Sequence, residues 1–461
     1  MRFGSRLSDR WAGFPLVVVL LCGASEARVV LAGEGDPDTT FSTDGKVVLD
    51  LGEYSTAYAV TARADGDLLV AGRVQGPWTV ARLQNDGSPD PGWSSVPFDF
   101  AADGAYATVS VLAIGNDSLG RTLVAGLAVP DDSFDFYMPA IARLDASGAL
   151  DPTFDGNGRR FVAAPAGWTH AATLDAVVLP DGRSYFLGNC VGCLLPEKSG
   201  PGTFLLRLDA NGSPDPTFSS DGWAMYADDL LSVEPRALSV EPDGAATAAF
   251  RVSFNFSPLG VVVIRWTTAG ELDSSFSGNG IGELVDREPG APIDLVVNPD
   301  TGKIVVGIQV SLQSPGDGLL GLTSQGARDL QFGASGWLDL EIEEGTELAA
   351  LELQSDGKIV AAATIDANGT QPAGFLVARV LDDGTLDNSY DDNGVNRVEF
   401  DLVADGPDVA HASTISGGRL VVVGSAGRLP APQSDFAVLR IETALVFADG
   451  FERGTAGAWA P

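Results

Sequence analysis

The sequence predicts an all-β fold: a seven-bladed β-propeller with four antiparallel strands per blade, its ring closed by pairing of the N- and C-terminal strands. Three observations carry this expectation. A motif recurs seven times at a spacing of about 58 residues, within the range of solenoids, propellers and arrays. Each repeat holds short apolar runs separated by Asp-Gly-type turns. Glycine is abundant at 56 residues and proline moderate at 27, a balance that suits many short strands joined by turns.

The motif is built on an aromatic residue: Phe41, Trp93, Phe154, Phe218, Phe276, Phe332 and Tyr390. Three residues before each lies an aspartate: Asp38, Asp90, Asp151, Asp215, Asp273, Asp329 and Asp387. Six residues before lies Gly35, Gly87, Gly148, Gly212, Gly270, Gly326 or Gly384, and four after lies another glycine, with Pro97 as the departure. A ring at one fixed position in every unit plugs between neighbouring blades, and the aspartate caps its turn with its own side chain.

Residues 45–93 serve as the template unit. Lys46 to Leu51 is an apolar, β-rich run, and Ala57 to Arg63 is a second strand. Asp65-Gly66 supplies the positive φ of a tight hairpin. Leu68 to Gly72 forms a third strand and Trp78 to Leu83 a fourth. The third strand recurs as Lys303 to Gly307, Lys358 to Ala362 and Arg419 to Gly424. These are continuous apolar runs, the mark of burial on both faces, and the small residues at their ends permit close backbone approach. The last unit lacks a trailing motif and the first motif lacks a preceding unit. The segment from Asp38 to Leu51 is therefore expected to share a sheet with Phe436 to Ile441, which removes exposed sheet edges.

Stretches such as Ala149-Leu150-Asp151-Pro152-Thr153-Phe154 and Ser355-Asp356-Gly357-Lys358-Ile359-Val360 resemble the delta-60 repeat family of bacterial β-propellers, over roughly residues 35 to 442. The resemblance implies the propeller fold and a bacterial exported setting. It carries over no catalytic residues.

Residues 1–27 read as a secretory signal: Arg2, Arg6 and Arg10, a short apolar run from Phe14 to Leu21, then small residues up to Ala27. Residues 28–445 form the propeller. Residues 446–461, with Asp449-Gly450-Phe451-Glu452, read as a detachable sorting or surface-association element. The expected location is secreted or on the cell surface of a bacterium, with the periplasm as the alternative. After signal removal Cys190 and Cys193 remain, and in an exported chain they are expected to form a disulfide.

The net charge of −34 argues against nucleic acid and anionic lipid as partners. No later segment has a membrane-spanning apolar run, and a monomer is expected. With two histidines, no nucleophile elbow and no phosphate loop, no catalytic constellation stands out, and no cofactor is called for. Asp155-Gly156-Asn157-Gly158 and Asp391-Asp392-Asn393-Gly394 resemble pieces of a calcium loop without its distal glutamate, so calcium is the one cofactor left open. Arg82, Arg143, Arg207, Arg265, Arg379 and Arg440 recur on the fourth strand, with Gly321 in place of arginine in the fifth unit. They read either as an anion-binding ring or as bridges to the turn carboxylate or carbonyls of their own or the next blade, and the regular recurrence favours bridges.

In a four-stranded meander the connections 1–2 and 3–4 emerge on one side, and here they vary most. Variable loops on a rigid scaffold tend to carry function. The candidate binding residues on that side are Tyr54, Asp103, Tyr137, Trp168, His170, Asp228, Glu343, Asp408 and His411. The expected function is a non-enzymatic scaffold binding a protein or glycan through this acidic face. The alternative is a secreted carbohydrate-active enzyme using carboxylates there.

Overall fold

Each apolar run ends where a turn residue lets the chain reverse, so the protein folds as a succession of meanders. The computed structural model describes residues 34–443 except 95, 101–105, 131–135, 194–201, 229–230, 256, 287–289, 311–316, 341–345, 366–372, 401–406 and 429–432. The contacts divide the chain between Leu31 and Ala32, and all described residues lie in the second unit. The signal segment, the C-terminal tail, Asp103 and Glu343 lie outside the described residues.

The strands are β1 (Lys46–Leu49), β2 (Ser55–Ala62), β3 (Leu68–Val74) and β4 (Trp78–Leu83); β5 (Tyr106–Asn116), β6 (Thr122–Pro130), β7 (Phe136–Leu144) and β8 (Arg159–Phe161); β9 (His170–Val178), β10 (Ser184–Val191), β11 (Gly202–Leu208) and β12 (Trp223–Tyr226). They continue with β13 (Ser232–Val240), β14 (Ala246–Phe254) and β15 (Ser257–Trp266); β16 (Gly290–Val297), β17 (Ile304–Val310), β18 (Gly318–Leu322) and β19 (Trp337–Asp339); β20 (Thr346–Leu353), β21 (Ile359–Ile365) and β22 (Gly374–Val380). A single helical turn, α1 (Asp391–Gly394), precedes β23 (Val395–Val398), and β24 (Asp408–Ser416), β25 (Arg419–Arg428) and β26 (Gln433–Glu442) complete the described strands.

Strands that follow one another within a meander pair antiparallel. The groups β5–β8 and β9–β12 are joined by a short parallel pairing of Phe136 with Ala171 and Tyr137 with Ala172. Where three strands form a sheet, isolated bridges supply an outer partner: Trp78 with Phe98, and Val261 with Val285. The middle strands are buried on both faces, as in β21, every residue of which is buried.

The template unit needs one correction. The strand after each motif does not open the next sheet. It folds back onto the strand just left, as β8 pairs β7, β12 pairs β11 and β23 pairs β22. The cause is the turn itself. Asp151 N–H donates to Arg143 O at 2.8 Å, Phe154 N–H to Asp151 O at 3.0 Å and Arg143 N–H to Gly158 O at 2.9 Å, which closes a hairpin around the motif. By the same rule β1 has no preceding strand in sequence, and it pairs β26, with Lys46 opposite Leu439 and Leu49 opposite Phe436.

Buried clusters lie between successive sheets. One joins β2–β4 to β5–β7, another β20–β23 to β24–β26, and a third packs Phe41, Val47 and Val70 against Val421, Phe436 and Val438. The motif aromatics are buried, and the rings from Phe41 to Phe332 each reach the motif glycine of the following unit. A Cβ on Gly212 would lie 2.4 Å from Phe154 Cζ, and its φ of +77° is the left-handed region that a side chain disfavours. Glycine and ring are therefore two halves of one contact between sheets.

Candidate functional site

The motif charges are consumed inside the scaffold. Arg143 meets Asp151 at 2.8 Å, Arg207 meets Asp215 at 2.9 Å, Arg265 meets Asp273 at 2.7 Å, Arg379 meets Asp387 at 2.9 Å and Arg440 meets Asp38 at 2.7 Å. Each of these guanidiniums lies over its motif ring, 4.5 to 4.8 Å from the centroid. Several also reach the next unit: Arg207 donates to Thr268 O at 2.6 Å, Arg379 to Thr443 O at 2.6 Å and Arg440 to Asn85 O at 2.7 Å. Arg82 pairs Asp90 at 3.3 Å and Asp67 at 2.7 Å, and the Trp93 indole donates to Val80 O at 2.9 Å. In the fifth unit the Phe332 ring packs against Gly321, and Lys303 reaches Asp329 at 3.4 Å in place of the missing arginine.

Three side chains of the calcium-like turns are engaged in the same way. Asn157 Oδ1 accepts Arg159 N–H at 2.9 Å, Asp155 pairs Arg160 at 3.2 Å and Asn393 Oδ1 accepts Val395 N–H at 3.1 Å. Among the described residues no group of three or more His, Cys, Asp or Glu side chains is placed to hold a metal ion. Cys190 and Cys193 form the disulfide expected from the sequence.

Three half-buried carboxyls stand apart from the motif. Burial pushes Asp175 up to about 7, the charge of Asp294 adding to it, while the N–H groups of Ala176 and Leu238 oppose the shift. Burial likewise pushes Asp294 up to about 6, against the N–H groups of Leu351 and Leu295. Glu352 rises to about 8 through burial and the charge of Asp294, opposed by the Ser413 hydroxyl. Asp175 accepts Leu238 N–H from β13 and Asp294 accepts Leu351 N–H from β20, both at 2.7 Å, so these groups stitch one sheet to the next.

Of the candidate binding residues, Asp408 is buried and accepts Phe400 N–H at 3.0 Å, so its carboxylate serves the backbone and does not face outward as the sequence suggested. Asp228 accepts Leu231 N–H at 2.9 Å. Trp168 packs against Trp223 and Phe204, with ring centroids 5.2 and 5.5 Å away. His170 opens β9, next to the residues that pair Tyr137 and its neighbour Phe136. Tyr54 is half exposed, at the entry to β2. His411 lies at a bulge of β24, where Ala410 and Ala412 pair but His411 does not, and burial pushes its imidazole below its ordinary range. Tyr58 occupies the matching bulge of β2, and the two rings meet at 5.0 Å. Gly72 is required opposite that bulge, since a Cβ there would fall 2.1 Å from Thr56 O.

Tyr54, Thr56 and Tyr58 alternate along β2 and share one face, while Ser55 and Ala57 between them are buried. Arg73 stands directly opposite Thr56 on β3, and Gln75 follows it. Ser434, at the start of β26, completes the wall. Its hydroxyl donates to Ser55 O at 3.0 Å, and the Ser55 hydroxyl donates back to Ser434 O at 3.1 Å. These residues enclose a cleft of about 640 Å³ at the junction of the first and last sheets, on the side of the variable connections. Arg73 Nε donates to Gly76 O at 3.1 Å, and its terminal nitrogens have no protein acceptor among the described residues. Sequence reasoning missed Thr56, Tyr58, Arg73 and Gln75, because only the fold shows that Arg82 takes the neighbouring carboxylates and that, among the described residues, Arg73 takes none.

The β-propeller domain of unknown function DUF5122 matches residues 120–154, 197–218 and 354–390, which supports a β-propeller family for this all-β chain. No curated protein matches the chain. Among solved structures, a protein of unknown function from Dyadobacter fermentans is 11% identical with a TM-score of 0.41, over 86% of this chain and 98% of that one. The polysaccharide lyase Uly1 is 9% identical with a TM-score of 0.45, over 84% of this chain and 90% of that one. Prolyl oligopeptidase B from Galerina marginata is 15% identical with a TM-score of 0.44, and the match over 84% of this chain spans 51% of that one. No helix among the described residues is long and apolar enough to cross a membrane.

Proposed function

We propose that the chain is an exported, non-enzymatic scaffold of the delta-60 type, a seven-bladed propeller whose ring is closed by β1 on β26, and that it binds a protein or glycan through the side carrying the variable connections. The observation that carries this reading is the division of the polar residues. The recurrent arginines and aspartates are paired with one another inside the scaffold, whereas the cleft at Tyr54 and Arg73 offers a cation that no carboxylate among the described residues engages, beside exposed aromatic surface. Two of the half-buried carboxyls, Asp175 and Asp294, accept backbone N–H groups with both oxygens, which suits structural roles better than proton transfer. The C-terminal tail serves sorting or surface association in this reading.

The test is a screen of the purified protein against soluble polysaccharides, scored for retention and for chain cleavage in parallel. Retention without cleavage is expected. Cleavage abolished by replacing an acidic pair drawn from Asp103, Asp228 and Glu343 would overturn the scaffold reading.

A further inference from the structure

We infer that the cleft between β2, β3 and the start of β26 binds a pyranose bearing a carboxylate, a uronic-acid unit of an acidic glycan. The inference rests on the binding-face reading above and names its ligand class. The chain carries a net charge of −34, and its motif arginines are held by carboxylates. Arg73 differs. Its Nε is anchored on Gly76 O, an oxygen also held by the Thr108 hydroxyl at 3.1 Å, which fixes the guanidinium plane and leaves both terminal nitrogens for a ligand. A planar fork of donors matches a planar carboxylate. A lone cation in so negative a field selects a singly charged unit and repels densely charged chains such as nucleic acid or heavily sulfated glycan.

The remaining walls suit a sugar. Tyr54 is 51% exposed, which leaves its ring available to the C–H groups of a pyranose, and Tyr58 lines the same cleft. Thr56 and Gln75 supply a hydroxyl and an amide for ring hydroxyls. The volume falls within the range of about 300–1,000 Å³ usual for ligand clefts. Tyr54 and Gln75 both hold left-handed backbone, φ +56° and +52°, and are tied by Gln75 N–H to Tyr54 O at 3.4 Å. Non-glycine residues seldom adopt this conformation, and such positions gather at ligand sites. The cleft of about 580 Å³ beside the β2–β3 turn makes the contrast: there Arg63 is already engaged by Asp65 at 3.5 Å and by Gly120 O at 3.3 Å.

The experiment is calorimetric titration of the whole protein with a xylotriose bearing one glucuronate, with plain xylotriose as the neutral control. Saturable binding of the acidic sugar is expected, at least tenfold weaker for the neutral one and weakened by salt. Arg73→Ala should lose at least tenfold, and Arg73→Lys should retain part of the affinity because it keeps the charge but not the fork. Melting curves of both variants should match the wild type, since Arg73 holds no buried partner. Equal uronate binding by wild type and Arg73→Ala would overturn the cleft assignment while leaving the binding face intact. Absence of uronate binding, or equal binding of plain xylotriose, would overturn the ligand class, and the retention screen then judges the face on its own.

Discussion

Replacing Asp38 by alanine should show how strongly the two ends of the fold are held together. Asp38 is 1% exposed and Arg440, 402 residues away, is 2% exposed. One oxygen of Asp38 meets Arg440 at 2.7 Å and Arg419 at 3.0 Å, and the other accepts the Thr40 N–H at 2.9 Å and hydroxyl at 2.6 Å. Burial pushes this carboxyl up, but the Thr40 hydrogen bonds and the two arginine charges outweigh it and hold it below the usual range. Breaking a buried pair from one side costs about 3–5 kcal/mol, because the other charge is stranded. Arg440 keeps Asn85 O and Arg419 keeps Glu442, so the lower end, about 3 kcal/mol, is expected. For a cooperative unit of roughly 400 residues that amounts to a fall in Tm of about 3–4 °C. Asp90→Ala is the control, since its partner Arg82 is 18% exposed and keeps Asp67; its cost should be about 1 kcal/mol or less. Calorimetry at pH 7 reads both. The Asp38 contribution is present above the unfolded carboxyl pKa and is lost as pH falls through the lower folded value, so the gap between wild type and variant should close in acid. Equal effects of the two substitutions, or none from Asp38→Ala, would refute the argument that this buried pair secures the junction.

Two further outcomes are expected. Asp175, Asp294 and Glu352 hold protons more tightly folded than unfolded, so their contribution is full below about pH 4 and declines as pH rises toward about 8; urea titrations should show this decline flattened at its alkaline end in Glu352→Gln, and an unchanged profile would count against it. Millimolar calcium should leave Tm unmoved, because Asp155, Asn157 and Asn393 in the calcium-like turns already accept hydrogen bonds or an ion pair; a rise that follows mass action would contradict that reading.

The motif made the architecture legible. Its aspartates and aromatics recur in phase because each performs one local act, capping a turn or filling the space under the next unit, and such acts leave a periodic trace in sequence. The pairing of β1 with β26 followed from counting motifs. The phase of the unit was less visible: Lys46 to Leu49 reads as an opening strand, and only the hydrogen bonds around the Asp-x-x-aromatic turn show that such a strand belongs to the sheet before it. The cleft was largely hidden. Tyr54 and His411 stood out as variable aromatic and imidazole groups, but Thr56 and Arg73 become neighbours only through strand register, and that no described carboxylate engages Arg73 is a property of three dimensions. Asp408 misled for the converse reason, since an acidic residue in a variable stretch looks exposed until its backbone partners are known.

The contact between Phe154 and Gly212 is directional: one unit offers the ring and its successor offers the hollow. Such head-to-tail joints carry no record of how many copies have gone before, unlike self-complementary joints, which stop at two. Any unit cut between hollow and ring can be copied or lost in register, because both new junctions still meet a matching half. Copy number is then governed by the far ends, where Gly35 approaches Asp391 and Gly35 N–H donates to Glu442 O at 2.7 Å. A gene encoding such units could lengthen or shorten by whole cassettes and still yield a foldable product, provided its first and last segments remained able to find each other.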